Sequence, residues 1–207
     1  MSHLAKAREV FDIELAALKA VRSLLDETFD LAVEAIVAVL RQRGKIVIIG
    51  IGKSGNVGAK IAATLTSTGS TAVVLNSVDA LHGDLGIIND GDVILALSYS
   101  GESEELLHLL PALKRFSVKI ISFTGNLKSS LAKHCDVSLT VKVPKEACPF
   151  NLAPTSSTTA RLPDLARVIT SRASFTDKFS VATALRSSRR MMSPTRSSIA
   201  RPIAPLG

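Results

Sequence analysis

Apolar residues recur at helical spacing over the first part of the chain: Leu4, Phe11, Leu15, Leu18 and Leu25, with Lys6, Glu9, Glu14 and Arg22 between them. That spacing predicts an amphipathic helix over 4–25. A second helix is expected over about 27–43, with Gly44 as its C-cap. The pattern then changes to a short, continuous, β-branched run at 45–50 (KIVIIG). Similar runs follow at 71–75 (TAVVL), 92–97 (DVILAL), 118–123 (VKIISF) and 136–143 (DVSLTVKV). Helical stretches at about 56–66, 103–116 and 127–134 separate them. Continuous apolar strands alternating with helices describe a parallel sheet covered on both faces. The expected fold class is α/β, a three-layer α/β/α domain with a five-stranded parallel sheet.

Composition changes the picture mainly at the end of the chain. After Ala160 the sequence is rich in Ser, Thr and Arg and carries Pro163, Pro194, Pro202 and Pro205. A weak helix over 168–185 and a disordered basic tail from 186 are expected there. The expected division is a domain over 1–160 and a divergent basic segment over 161–207. Hydrophobic residues make up 46% and aromatics 4%, with no Trp, so the core should be aliphatic. Of the 25 basic residues nine lie in 161–207, against two of the 18 acidic ones. The first 160 residues therefore balance, and the net charge of +7 belongs to the tail. A nucleic-acid partner inferred from overall charge would rest on the wrong segment. The most apolar run, 31–40, is short and contains Glu34. With no membrane-length segment and no secretory pattern in MSHLAKAREV, a cytoplasmic protein without a membrane partner is expected. Cys135 and Cys148 read as reduced, structural thiols; their spacing suits no metal site, and none is expected.

Candidate chemistry sits in loops after strands. Gly50, Gly52 and Gly55 stand at G-x-G-x-x-G spacing, with Lys53 and Ser54 inside the turn. Glycines let a backbone approach a ligand, and a helix start offers N–H groups to an anion. The acid that would bind a dinucleotide ribose is missing from the end of the second strand, where Asn76 and Ser77 stand and Asp79 comes later. The plainer reading of these glycines is turn chemistry. The segment 98–103 (SYSGES) brings Ser98, Ser100 and Ser103 together with backbone amides, a phosphate cradle without Lys or Arg. Its plainer reading is a turn in which Ser103 caps the helix starting at Glu104. Both loops lie at strand ends of the kind where open α/β sheets bind ligands. His82, which opens HGDLG beside its glycines and precedes Asp84, is a site candidate against the commoner surface or capping role. Glu146 precedes a run of five hydroxyl residues, 155–159, which either starts a helix or walls a substrate site with Glu146 as acid or base.

Together GIGKSG, STG, HGDLG, SYSGESEELL, VKVPKEACP and NLAPTSSTTA, in this order and spacing, resemble the sugar isomerase (SIS) domain. The resemblance is closest to the arabinose-5-phosphate isomerase family and covers about residues 5–160. It implies interconversion of D-ribulose 5-phosphate and D-arabinose 5-phosphate through an enediol, without a cofactor. The product would feed 3-deoxy-D-manno-octulosonate and bacterial lipopolysaccharide synthesis. It implies a phosphate site at Ser54, Ser98, Ser100 and Ser103, substrate contacts near Gly69, Ser70 and His82, and roles in turnover for Lys53, Glu105 and Glu146. It also implies a homo-oligomer, a dimer or tetramer, packed through helices such as 4–25 and sharing active sites. The chemistry fits: a carboxylate moves the proton, a lysine stabilises the developing oxyanion, and a remote phosphate orients the sugar.

The resemblance stops at Ala160. The family's ALGDALA-type helix, its His-Pro-Gly-Gly segment and its two CBS domains do not follow, and no His comes after His134. Asn76 stands where family members often carry a His linked to metal binding. A shifted reading frame or altered gene end would produce such a break. Lowered activity is therefore expected, and two other readings stay open. One is a non-catalytic sugar-phosphate binding or regulatory module; the other is an isomerase of heptose or hexulose phosphates.

Overall fold

Two helices, α1 (His3–Ser23) and α2 (Glu27–Arg41), lead the chain into a sheet. The computed structural model describes residues 2–81, 83–145 and 168–169. All of them fall in the first of the chain's two units, Met1–Ala173. His82, Glu146, Cys148, the hydroxyl run 155–159 and most of 161–207, including the expected tail, lie outside the described residues. After α2 come β1 (Ile46–Gly50), α3 (Lys53–Ser67), β2 (Ala72–Asn76) and α4 (Ser77–Leu81), then a 3-10 turn at Asp84–Ile87. β3 (Val93–Leu97), α5 (Glu104–Leu113), β4 (Lys119–Thr124), α6 (Ser130–His134) and β5 (Val137–Thr140) complete the series.

The five strands pair in parallel in the order β2-β1-β3-β4-β5. Gly50 is in register with Asn76 and with Leu97, and Leu97 with Phe123, so the strands end together along one edge. The chain moves from β1 outward to β2, then returns to place β3 on the other side of β1. The direction of winding reverses between β1 and β3, which opens a crevice at their carboxyl ends. The two glycine-bearing loops flank that point.

Alternate residues of each strand feed opposite faces of the sheet. Ile46, Ile48, Leu95 and Ile121 pack with Val33, Ile36 and Val37 of α2 and Ile61 and Leu65 of α3. Val47, Ile49, Ile94 and Ile120 pack with Leu106, Leu109, Leu110 and Leu113 of α5 and Leu131 of α6. These two aliphatic clusters make the expected three layers. Ile169, in the segment expected to diverge, is fully buried in the first cluster. Burial pushes the Cys135 thiol up to about 11, as befits a structural cysteine.

Two local expectations change. Arg43, not Gly44, takes the left-handed conformation after α2, at φ 63°. Gly44 N–H donates to Val39 O at 3.0 Å and Arg43 N–H to Leu40 O at 3.2 Å, the paired bonds of a Schellman ending. Gly44 is needed for space, since a Cβ there would lie 2.6 Å from Gly91 O and from Val39 Cγ1. In α1 the helix forms as expected, but its apolar stripe does not meet this chain's core. Leu4, Phe11, Leu15 and Leu18 are exposed, while Ala17 and Val21 are buried against Val143. The faces of the sheet are already taken by α2, α3 and α5. Among the described residues no helix is long and apolar enough to cross a membrane.

Candidate functional site

The loop after β1 is built for close packing. α3 begins at Lys53, three residues before the expected 56, so Lys53 and Ser54 lie in its first turn. Gly52 turns the chain at φ 54°. A Cβ on Gly55 would lie 2.9 Å from Gly50 O, and one on Gly58 would lie 2.9 Å from Ile48 Cγ2. The glycines thus let the start of α3 rest directly on β1. The N–H groups of Ser54 and Gly55 donate to Ile51 O, and that of Asn56 to Gly52 O. Those amides are spent on the backbone, which corrects the expectation that the start of this helix offers them to an anion. Lys53 is exposed and Ser54 half-buried.

The loop after β3 is different. Ser98 is buried, and its hydroxyl lies 2.9 Å from that of Ser103. Gly101 N–H donates to Ser98 Oγ at 3.1 Å, and Glu102 N–H to Ser100 Oγ at 3.2 Å. Gly101 makes the bend at φ 69°. Ser103 is the N-cap residue of α5, yet its side chain makes no capping hydrogen bond. The plainer sequence reading of Ser103 is therefore not what forms: the hydroxyl turns back to Ser98. The first-turn amides of α5 are left without the side-chain acceptor that an N-cap serine supplies. Hydroxyls and helix amides gathered at a strand end are suited to an anion's oxygens. Glu105 lies in this first turn and is exposed.

Not every candidate joins this place. Gly69, at φ 92°, and buried Ser70 lie in the connection from α3 into β2, at the opposite edge of the sheet. Five residues of strand, roughly 16 Å, separate that edge from the carboxyl ends. Within one chain they are apart from Ser54, Ser98, Ser100 and Ser103. A cavity of about 500 Å³ opens at the end of β2, with Val74, Asn76, Asp79, Asp84 and Ile87 in its wall. None of the candidate serines lines it, and its two carboxylates, Asp79 and Asp84, oppose an anion.

A family model described as the SIS domain matches residues 39–163. The chain belongs to the SIS domain family. The Arabinose 5-phosphate isomerase KdsD of Francisella tularensis is 46% identical over 161 residues, covering 78% of this chain and 49% of that protein. The enzyme of the same name from Pseudomonas aeruginosa is 51% identical over 143 residues, covering 69% and 44%. The chain spans about half the length of these curated relatives. An E. coli CFT073 protein solved in complex with A5P superposes with a TM-score of 0.73 at 35% identity. That match covers 84% of this chain and 92% of the other. The α/β/α architecture with its five-stranded parallel sheet is thus that of a SIS domain.

Sequence reasoning missed several residues that shape the serine loop. Thr124 and Ser129 are fully buried beneath Gly101, and Glu102 reaches from the loop to Ser130. Their distance along the chain hid them; the only local signal is the pair of small polar residues flanking Gly125. Ser77, just beyond β2, is fully buried with its hydroxyl unpartnered. Nothing in SVDAL separates that serine from an ordinary helix start.

Proposed function

We propose that this SIS domain binds a phosphorylated five-carbon sugar at the carboxyl edge of its sheet and interconverts D-arabinose 5-phosphate and D-ribulose 5-phosphate. The observation that carries the reading is the Ser98–Ser103 pair. An N-cap serine that does not cap leaves the first-turn amides of α5 for a phosphate, with the hydroxyls of Ser98, Ser100 and Ser103 beside them. The similarity to arabinose 5-phosphate isomerases and the A5P bound by the E. coli CFT073 protein support the choice of sugar.

In this reading Ser54, Ser98, Ser100 and Ser103 hold the phosphate and so orient the reacting carbons. A carboxylate base drawn from Glu105 and Glu146 removes the proton from C2 of the aldose. Lys53 stabilises the enediolate oxygen, and the proton returns to C1 to give the ketose. No redox step occurs, so no cofactor enters the proposal.

A homo-oligomer, dimer or tetramer, belongs to the same reading. Lys53 and Glu105 are exposed, Gly69 and Ser70 are at the far edge, and α1 presents Leu4, Phe11, Leu15 and Leu18. A second copy would cover the apolar stripe and bring its own residues to the site. The reading takes 1–160 as the sugar isomerase domain, without nucleic-acid or membrane partners. It places the reaction in the cytoplasm, feeding 3-deoxy-D-manno-octulosonate and lipopolysaccharide synthesis. The exposure of Lys53 and Glu105 beside a well-formed serine loop favours a second reading, a binding module without turnover. The test is incubation of purified chain with ribulose 5-phosphate, with the sugar products resolved, alongside calorimetric titration. Arabinose 5-phosphate as product supports the isomerase, binding without product supports the module, and neither result refutes both.

A further inference from the structure

The serine loop is braced from the following strand and helix. Tyr99 O accepts from Gly125 N–H at 2.8 Å and from Thr124 Oγ1 at 3.2 Å, and Gly101 O accepts from Leu131 N–H at 3.0 Å. The loop's charged side chain joins this brace: Glu102 Oε1 accepts from Ser130 N–H at 2.8 Å. The Ser130 amide and hydroxyl hold the Glu102 carboxyl below the usual carboxylate range, with Lys133 adding a smaller share.

The placement of this anion needs explaining. Glu102 stands between Gly101 and Ser103, in a loop read as the holder of another anion. Like charges at short range repel, so taken alone the carboxylate would weaken phosphate binding. The structure turns it onto the first residue of α6. We propose that Glu102 is a positioning residue. By tying residues 98–103 to Ser130, it holds the serine hydroxyls and the start of α5 in the geometry that receives phosphate. The inference rests on the phosphate reading of the loop.

The electrostatic and positioning roles predict opposite signs. If Glu102 acts only as a charge, Glu102→Ala and Glu102→Gln both tighten binding. If it positions the loop, Glu102→Ala weakens binding, because the apparent dissociation constant rises as the fraction of chains in the binding geometry falls. A change of about threefold or more is expected, with faster amide hydrogen exchange over 98–103. Glu102→Gln, whose amide oxygen still accepts from Ser130, moves back toward the parent on both measures.

The brace is also testable from the donor side. Ser130 is the first residue of α6, where proline is tolerated, and Ser129 already has an extended backbone at ψ 160°. Ser130→Pro removes the N–H while keeping the carboxylate, and is expected to loosen the loop as Glu102→Ala does. The experiment is calorimetric titration of parent, Glu102→Ala, Glu102→Gln and Ser130→Pro with arabinose 5-phosphate, with hydrogen exchange measured on each. If the parent binds and Glu102→Ala binds as tightly or more tightly, or exchanges no faster over 98–103, this inference alone is overturned. If the parent does not bind, the phosphate reading falls and this inference falls with it.

Discussion

Replacing Gly101 with alanine tests the serine loop at its tightest point. Gly101 has φ 69°, a conformation that costs a residue bearing a Cβ about 1–2 kcal/mol. The new methyl would also lie 2.5 Å from Ser129 Cβ and 2.9 Å from Thr124 Oγ1, and would run into Ser129 Oγ. Ser129 and Thr124 are fully buried, so neither swings aside into solvent. Overpacking of this kind costs roughly 1–3 kcal/mol. The expected loss is therefore about 2–5 kcal/mol, large beside the 5–15 kcal/mol typical of whole domains. Urea denaturation reads it as a lower midpoint at unchanged slope. Adding Ser129→Gly separates the two terms. That change costs only a few tenths of a kcal/mol as an N-cap substitution and removes the nearer of the two side chains the methyl meets, leaving Thr124. The double variant should recover most of the packing share and keep the backbone share. Gly101→Ala within about 0.5 kcal/mol of the parent, or no recovery in the double variant, would refute the reasoning.

Other substitutions probe separate parts of the molecule. Asp92, at the amino edge of the sheet, is buried and accepts from Lys45 Nζ at 2.6 Å, Asn89 N–H at 2.8 Å and Lys45 N–H at 3.0 Å. Burial alone would raise its carboxyl, but the Lys45 ammonium and the two amides outweigh it, and the net shift is downward. Its contribution is thus present above the ordinary carboxylate range and lost as the pH falls below it. Asp92→Ala should cost roughly 3–5 kcal/mol near neutrality by thermal or urea melts, with the deficit shrinking in acid; a pH-independent deficit would count against the pair. Replacing Ser100 and Ser103 together with alanine should remove phosphate hydrogen bonds contributing about 1.5–3 kcal/mol each. Unchanged calorimetric affinity for arabinose 5-phosphate would remove the cradle. Ser77→Ala takes away a fully buried hydroxyl that has no partner, so stability should hold or rise by about 1 kcal/mol; a clear drop in the melting midpoint would contradict this.

How much of this was legible beforehand depended on the range of the interaction. The strand–helix alternation is local and periodic, so all five strands and the long helices could be read from apolar spacing. The short elements after β2 could not be. SVDAL and DLGI are too brief to show a period. α3 starts three residues before the expected position, at a stretch that Gly55, a poor helix former, makes look non-helical, and Gly58 weakens the pattern further on. Their contacts with Gly50 and Ile48 outweigh that preference. The serine loop was legible as three hydroxyls in one turn. That Ser103 bonds to Ser98 and leaves α5 uncapped was not, because both roles suit the same sequence.

The class of the fold, the aliphatic core and the chemistry available at the ends of β1 and β3 are already present in the order of the residues. Those follow from side-chain types and their spacing, which the chain carries wherever it goes. Tertiary structure alone decided which candidates share a place. Parallel pairing sends Gly69 and Ser70 to one edge of the sheet and the serine loop to the other, although all precede or follow strands in much the same way. It also brings Thr124, Ser129 and Ser130 beneath and beside a loop more than 20 residues earlier. Such contacts depend on strand order and on how closely backbones approach, and neither is written in any local pattern of residues.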